Sequence, residues 1–163
     1  MKSLSVVIPA YNEGERISST IKTISKYLND KKIKSEILVV DDGSRDDTVE
    51  QVKKVSDKTV RIISNGKNYG KGYSVKNGVL NSKYEYVLFS DADLSTPINM
   101  LERFEDYMQD YDVIIGSRAL KESDIQIKQP FYREFMGKIF NKIVRLFTVR
   151  GVKDTQCGFK LFK

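Results

Sequence analysis

Short apolar runs and longer stretches of helical periodicity alternate along nearly the whole chain. The run SLSVVIPA is rich in β-branched residues, is closed by proline, and predicts a first strand. In GERISSTIKTISKYLND, Ile17, Ile21, Ile24 and Leu28 recur at helical spacing, so one helix face is expected to be buried. Asn12, with Glu15 three residues on, has the form of a capping box at the start of that helix. EILVVDD is almost continuously apolar, as expected of a strand covered on both faces of a parallel sheet. SRDDTVEQVKKVSD predicts a second helix, with Ser44 or Asp46 as cap and acids in its first turn. VRIIS reads as a strand, and GKGYSVKNGVLNS as a helix in spite of its three glycines. EYVLFSDAD is a fourth strand. TPINMLERFEDYMQD follows as a helix, with Pro97 in the first turn and Thr96 or Ser95 as cap. DVIIGSR is a further strand, and PFYREFMGKIFNKIVRLFT a last helix that stops before Gly151.

Alternating strands and helices predict an α/β sandwich with a mainly parallel central sheet flanked by helices. Without repeats, low-complexity tracts or linkers, residues 1–163 read as one domain. In sheets of this kind ligands sit beyond the carboxyl ends of the strands. Asp41, Asp42, Asp91 and Asp93 all fall at predicted strand ends.

Composition narrows the setting. The 163 residues are 40% hydrophobic and 31% charged, as in an ordinary soluble domain with a real core. The net charge of +6 allows nucleic acid, an anionic membrane surface or a phosphorylated substrate as partner. There is no histidine, so acid–base chemistry falls to carboxylates, lysine, tyrosine, Cys157 or the substrate. The single cysteine precludes an internal disulfide and suits a reducing, cytoplasmic compartment. No signal peptide or transmembrane stretch is expected within these residues.

The segment YVLFSDADLSTP raises the central question, because Asp91 and Asp93 stand one residue apart and share a face in extended structure. Two readings are open: a solvated turn or helix cap, or a divalent cation site. Hard oxygen ligands suit Mg²⁺ or Mn²⁺, and two acids would need a diphosphate to complete the site. In VVDDGSRDDT, Gly43 is expected at positive φ in a strand-to-helix turn, and the strand-end acids could accept hydrogen bonds from a ribose hydroxyl or a base N–H. NYGKGYSV contains Gly-x-Gly, but Val75 replaces the third glycine of a dinucleotide fingerprint, which argues against a Rossmann dehydrogenase.

Taken in order, VVIPAYNE, VVDDGSRDDT, NYGKGYSV, DADLS, GSR and DTQCGFKLF resemble the family-2 inverting glycosyltransferases of GT-A fold. The nearest subgroup is similar to the dolichyl- and polyprenyl-phosphate glycosyltransferases, the glucosyl branch more than the mannosyl. The resemblance implies that Pro9, Tyr11, Glu13 and Asp41 or Asp42 line a nucleoside pocket with Lys71 close by, and that Asp91 and Asp93 hold the metal. It further implies that Arg118 and Arg133 meet the acceptor's phosphate while Asp154 and Gln156 approach the sugar. Ser95 stands where the mannosyltransferase pattern has glutamine, which argues against mannose. The implied donor is UDP-glucose, with GDP-mannose as the other possibility, and the implied acceptor is a polyprenyl phosphate at the cytoplasmic face of a membrane. Family members usually continue past CGFKLF, so the chain reads as truncated at its C-terminal end.

A phosphate acceptor fits the missing histidine: its second pKa of about 6 leaves it anionic at neutral pH, so no general base is required. The helix after Pro130 mingles Phe131, Phe135, Ile139 and Ile143 with Lys138, Lys142 and Arg145, and reads either as a core helix or as one lying on anionic lipid. Three other readings share some of these features. A glycosyltransferase with a polysaccharide or other hydroxyl acceptor would need a catalytic carboxylate, and the chain has no tryptophan for a Gln-x-x-Arg-Trp element. A nucleotidyltransferase would carry a glycine-rich signature where PAYNEGE stands. A nucleic-acid-binding module would gather its basic residues on one face, whereas here they are dispersed.

Overall fold

The structure, a computed structural model, describes residues 1–55, 57–116 and 157–163. Its strands are β1 (Ser3–Ala10), β2 (Lys34–Asp41), β3 (Val60–Ser64), β4 (Val87–Ser90), β5 (Val113–Ile115) and β6 (Phe159–Phe162). Its helices are α1 (Ile17–Asp30), α2 (Thr48–Lys54), α3 (Lys71–Leu80) and the short α4 (Glu102–Glu105). Compactness divides the chain into Met1–Ile114 with Gly158–Lys163, and Ile115–Cys157. All but residues 115, 116 and 157 of the second unit lie outside the described residues. The helix predicted after Pro130 therefore falls there, as do Arg118, Arg133, Asp154 and Gln156.

The strands form one sheet in the order β3-β2-β1-β4-β6-β5. β2 and β4 flank β1 in parallel, β3 runs parallel to β2, and β6 runs antiparallel to β4. The mainly parallel α/β sandwich is thus as expected. Ile37, Leu38, Val39 and Val40 are all fully buried, which explains the unbroken apolar run of β2: a strand covered on both faces has no polar side to alternate with. Ile17, Ile21, Ile24 and Leu28 of α1 are likewise inaccessible, and each contributes about 2 kcal/mol of transfer free energy.

Glycine-rich α3 forms because one of its glycines is a packing device. A Cβ on Gly78 would come within 2.3 Å of Val7 Cγ1 and 3.0 Å of Val40 Cγ2, so only glycine lets this helix lie so close to β1 and β2. At the end of β2, Gly43 has φ of 76°, as anticipated, and a Cβ there would meet the Lys67 backbone at 2.8 Å.

Other expectations need correction. α1 has Arg16 as N-cap and no side-chain cap, so Asn12 and Glu15 do not form a capping box. Asn12 adopts φ of 55°, donates its N–H to Ser44 Oγ and accepts from the Arg45 N–H, tying the β1–α1 loop to the β2–α2 loop. α2 is shorter than predicted, with Asp47 as N-cap and no capping side chain; Asp46 accepts from the Thr48 and Gly14 N–H groups instead. The helix expected over 96–110 is a 3-10 turn at Ile98–Leu101, entered from Pro97, that runs into α4 and then irregular turns. β6 was not anticipated as a strand at all.

Candidate functional site

Four parallel strands aim their carboxyl ends at one edge of the sheet, and there a cleft of about 310 Å³ opens. The end of β1 brings Pro9 to it and the β1–α1 loop Tyr11 and Glu13; Asp42 stands just after β2, the start of α3 brings Gly70 and Lys71, and the turn after β4 brings Asp91 and Asp93. Seven of the predicted site residues other than Asp41 are described in the structure, and all of them line this cleft.

β4 ends at Ser90, so the two acids of the Asp-x-Asp stand in a turn rather than on the strand. Leu94, at φ of 48°, reverses the chain, and the Ser95 N–H donates to Asp93 Oδ1 at 2.9 Å. Buried Thr20 of α1 donates its hydroxyl to the Ala92 carbonyl at 2.5 Å, anchoring the turn to the helix. Asp91 is held differently. A Cβ on Gly158 would lie 1.8 Å from Asp91 Oδ2, so the carboxylate occupies space that only a glycine leaves, and the Asp91 N–H donates to the Gly158 carbonyl at 3.1 Å.

Charge at the cleft is incompletely matched. Asp91 Oδ1 and Glu13 Oε2 are buried atoms that receive no directed hydrogen bond from the described residues. Each has one cation beside it instead: Lys71 Nζ lies 2.6 Å from Asp91 Oδ1, and Arg16 Nε lies 2.9 Å from Glu13 Oε2. Burial pushes the Glu13 carboxyl above its ordinary value; Arg16 opposes this, while the negative charges of Asp93, Asp46 and Asp91 push it further up. Asp93 is shifted the other way. Burial acts to raise it, but hydrogen bonds from Ser95 and the charges of Arg16 and Lys71 outweigh burial and keep it ionised. The cleft therefore holds carboxylates that repel one another and buried oxygens short of donors, an environment that favours an added cation.

That environment fits a divalent cation. Hard carboxylate oxygens are the right donors for Mg²⁺ or Mn²⁺, and Asp91 and Asp93 are the residues that would hold it. Among the described residues no group of three or more His, Cys, Asp or Glu gathers as a metal site; a cation held by one or two carboxylates commonly completes its shell with water and substrate phosphates.

The β2-end acids divide the expected role unequally. Asp42, only 3% exposed, accepts from Asn65 Nδ2 (2.8 Å), the Tyr69 N–H (3.1 Å) and the Gly70 N–H (2.7 Å). Burial would raise its pKa, and these bonds reverse that and lower it. Three of its roughly four acceptor positions are thus taken by the loop that leads into α3. Asp41 accepts from the Ser44 N–H at 3.1 Å and is not among the residues lining the cleft.

Several residues at the site were not singled out in the sequence. Asn68, Ser74, Ala10 and Ala92 line the cleft, Asn65 bridges Asp42 to Ser74, and Gly158 makes room for Asp91. The Gly-x-Gly at Gly70–Gly72 was a visible signal: Gly70, at φ of 90°, turns the chain so that its N–H reaches Asp42 just before α3 begins. Nothing local marks Gly158.

Known proteins share this architecture. The family model described as glycosyl transferase family 2 matches residues 5–163. A dolichyl-phosphate beta-glucosyltransferase of Dictyostelium discoideum is 40% identical over 174 residues, covering 98% of this chain and 53% of that protein. The Homo sapiens dolichyl-phosphate beta-glucosyltransferase is 34% identical over 177 residues, covering 99% of this chain and 55% of that protein. The chain spans about half the length of these relatives. Among solved structures, glucosyl-3-phosphoglycerate synthase from Mycobacterium tuberculosis, in complex with Mn²⁺, uridine-diphosphate-glucose and phosphoglyceric acid, aligns with a TM-score of 0.70 at 20% identity, covering 99% of this chain and 56% of that one.

Proposed function

The chain belongs to glycosyl transferase family 2, and from that premise we propose that it carries the donor site of an enzyme moving glucose from a nucleotide sugar to a dolichyl-type polyprenyl phosphate with inversion. The observation that carries this reading is the cleft at the strand ends, where Asp91 and Asp93 meet Lys71 and Glu13. The direction toward glucose and a lipid phosphate comes from relatives 34% and 40% identical over nearly the whole chain.

Pro9, Tyr11, Glu13 and Asp42 would line the pocket that receives the nucleoside. UDP-glucose is the favoured donor. When bound, Mg²⁺ or Mn²⁺ at Asp91 and Asp93 supplies charge neutralisation for the departing diphosphate. The acceptor's phosphate oxygen attacks the anomeric carbon as the bond from that carbon to the nucleoside diphosphate breaks, and the electron pair leaves on the diphosphate. No proton moves, which is why a chain without histidine can support the reaction. The protein's contribution is positioning and electrostatics. Arg118 and Arg133 for the acceptor's phosphate, and Asp154 and Gln156 for the sugar, are part of the same proposal by resemblance and lie outside the described residues. Among the described residues no helix is long and apolar enough to cross a membrane. A lipid acceptor would place the protein against the cytoplasmic face of one, with nucleic acid playing no part.

The test is turnover of UDP-glucose, GDP-mannose and UDP-N-acetylglucosamine against dolichyl phosphate, with Mn²⁺ or with EDTA. We expect metal-dependent transfer from UDP-glucose. Efficient transfer to a plain sugar alcohol, or preference for GDP-mannose, would overturn the assignment.

A further inference from the structure

Lys71 stands in an unfavourable place. It is the first residue of the ten-residue α3, where the helix macrodipole is positive and no acidic residue occupies the first turn. A cation there needs a compensating anion, and the structure supplies one: Asp91 Oδ1, 2.6 Å from the ammonium. That oxygen in turn is buried and receives no directed hydrogen bond from the described residues. Its partner oxygen is fixed in the space left at Gly158. Asp91 is therefore held rigidly while its cation is not, since the Lys71 side chain is 57% exposed on a flexible stem. Removing Lys71 with nothing in its place would leave that buried oxygen bare, but exchanging it for another cation would not, and the exposed lysine stem lets the ammonium move away without opening the fold.

Resting on the function proposed above, we infer that Lys71 is a placeholder cation, which Asp91 exchanges for the divalent metal when the donor arrives. Lys71 neutralises Asp91 in the free protein and so suppresses metal binding in the absence of nucleotide. On donor binding, Lys71 is released toward the diphosphate, which the positive end of α3 also favours. The exchange couples the two ligands: metal alone must displace an internal cation, whereas metal with a nucleoside diphosphate gives that cation a new anion. Release of Lys71 involves only its side chain and needs no movement of the backbone.

The experiment is titration of Mn²⁺ alone into the protein, followed by the electron paramagnetic resonance signal of free Mn²⁺, and repeated with UDP present. Lys71→Met is expected to bind Mn²⁺ alone about tenfold more tightly than the parent and to show less enhancement by UDP. Lys71→Arg, which keeps the charge, should remain parent-like. Lys76→Met removes a charge from the exposed side of the same helix without touching Asp91, and should leave Mn²⁺ affinity unchanged. Parent-like Mn²⁺ affinity in Lys71→Met, or equal gains in Lys71→Met and Lys76→Met, overturns the exchange while metal-dependent UDP binding leaves the proposed function standing. If none of these proteins binds Mn²⁺ with or without UDP, both readings fall together.

Discussion

Glu36 and Asp91 are both carboxylates at the ends of buried strands, one near the amino edge of the sheet and the other just past its carboxyl edge. Glu36 is 3% exposed. It accepts from Ser5 Oγ (2.7 Å) and the Lys83 N–H (2.6 Å) on one oxygen, and from Arg61 Nε (3.1 Å) and Nη2 (3.0 Å) on the other. Among the described residues Asp91 Oδ1 has one ammonium beside it, that of the exposed Lys71 side chain. The first arrangement is complete, with a buried hydroxyl and a backbone N–H on one oxygen and a guanidinium fork on the other. The second is short of donors at one buried atom, and the cation beside it sits on an exposed side chain. Burial of an acid therefore does not distinguish structure from function in this protein; what distinguishes them is whether the acid's acceptor positions are already filled.

The comparison breaks most visibly at the Asp-x-Asp. Asp93→Asn removes a charge from an exposed turn whose backbone is fixed independently through Thr20, so the melting temperature should hardly change. Transfer activity is expected to fall on the order of 100-fold or more, as when a group stabilising transition-state charge is lost. Nucleoside diphosphate should then bind equally with Mn²⁺ and with EDTA. Retained metal dependence in this variant would mean that the cation is held elsewhere.

At the opposite edge the outcome should invert. Glu36→Ala leaves Ser5 and the Lys83 N–H without that acceptor and Arg61 with the Asn81 carbonyl instead, and a loss of about 2–3 kcal/mol in denaturant unfolding is expected. Arg61 is 38% exposed and can turn to water, which keeps the figure below that for a fully enclosed pair. Nucleotide affinity, measured well below the unfolding midpoint, should remain within about twofold of the parent. A variant that loses binding but not stability would erase the distinction between the two edges.

A subtler perturbation acts on Asp91 through its neighbour. Gly158 has no positive φ, so alanine is allowed there by the backbone, but its Cβ would strike Asp91 Oδ2. Displacing the carboxylate in Gly158→Ala should weaken metal-dependent nucleotide binding about tenfold, the scale of a lost supporting contact at a metal site. Calorimetry with UDP and Mn²⁺ would measure it, and unchanged affinity would show that Asp91 tolerates a different rotamer.

How much of this was legible beforehand follows from the range of each signal. The register of Ile17, Ile21, Ile24 and Leu28, and the unbroken apolar run of β2, are local patterns, and the structure repeats them. The gathering of Asp42, Asp91 and Asp93 at one edge was legible because parallel strands send all their carboxyl ends the same way. β6 was not, although Phe159 and Leu161 are buried and alternate with less buried Lys160 and Phe162: four residues are too short a period-2 run to separate from a loop. The capping-box reading of Asn12 failed because Ser44 and Arg45, distant in sequence, outbid the local pattern. Gly158 was invisible for the same reason: its constraint comes from Asp91, in a turn far away in the chain.

The smallest effect tests the sign of the electrostatics. Glu13 has its folded-state pKa raised above the ordinary 4.5, by burial first, against Arg16, and then by Asp93, Asp46 and Asp91. A raised carboxyl favours the protonated form in the fold, so its ionisation costs stability once the pH is above the folded value, and the cost vanishes below 4.5. Asp42 has its pKa lowered from 3.8, so it contributes stability that is present above 3.8 and lost as the pH falls through its folded value. Glu13→Gln should therefore melt slightly higher than the parent near neutral pH, and the difference should disappear well below pH 4.5. Asp42→Asn should melt lower at neutral pH, and its deficit should shrink in acid. Opposite signs from two carboxylates of one cleft separate an acid crowded by neighbouring carboxylates from the acid that builds the loop. Adding Mn²⁺ with UDP should then raise the parent's melting temperature more than that of Glu13→Gln, because a cation relieves the repulsion that the variant no longer has. An equal rise in both would place the cation out of Glu13's reach.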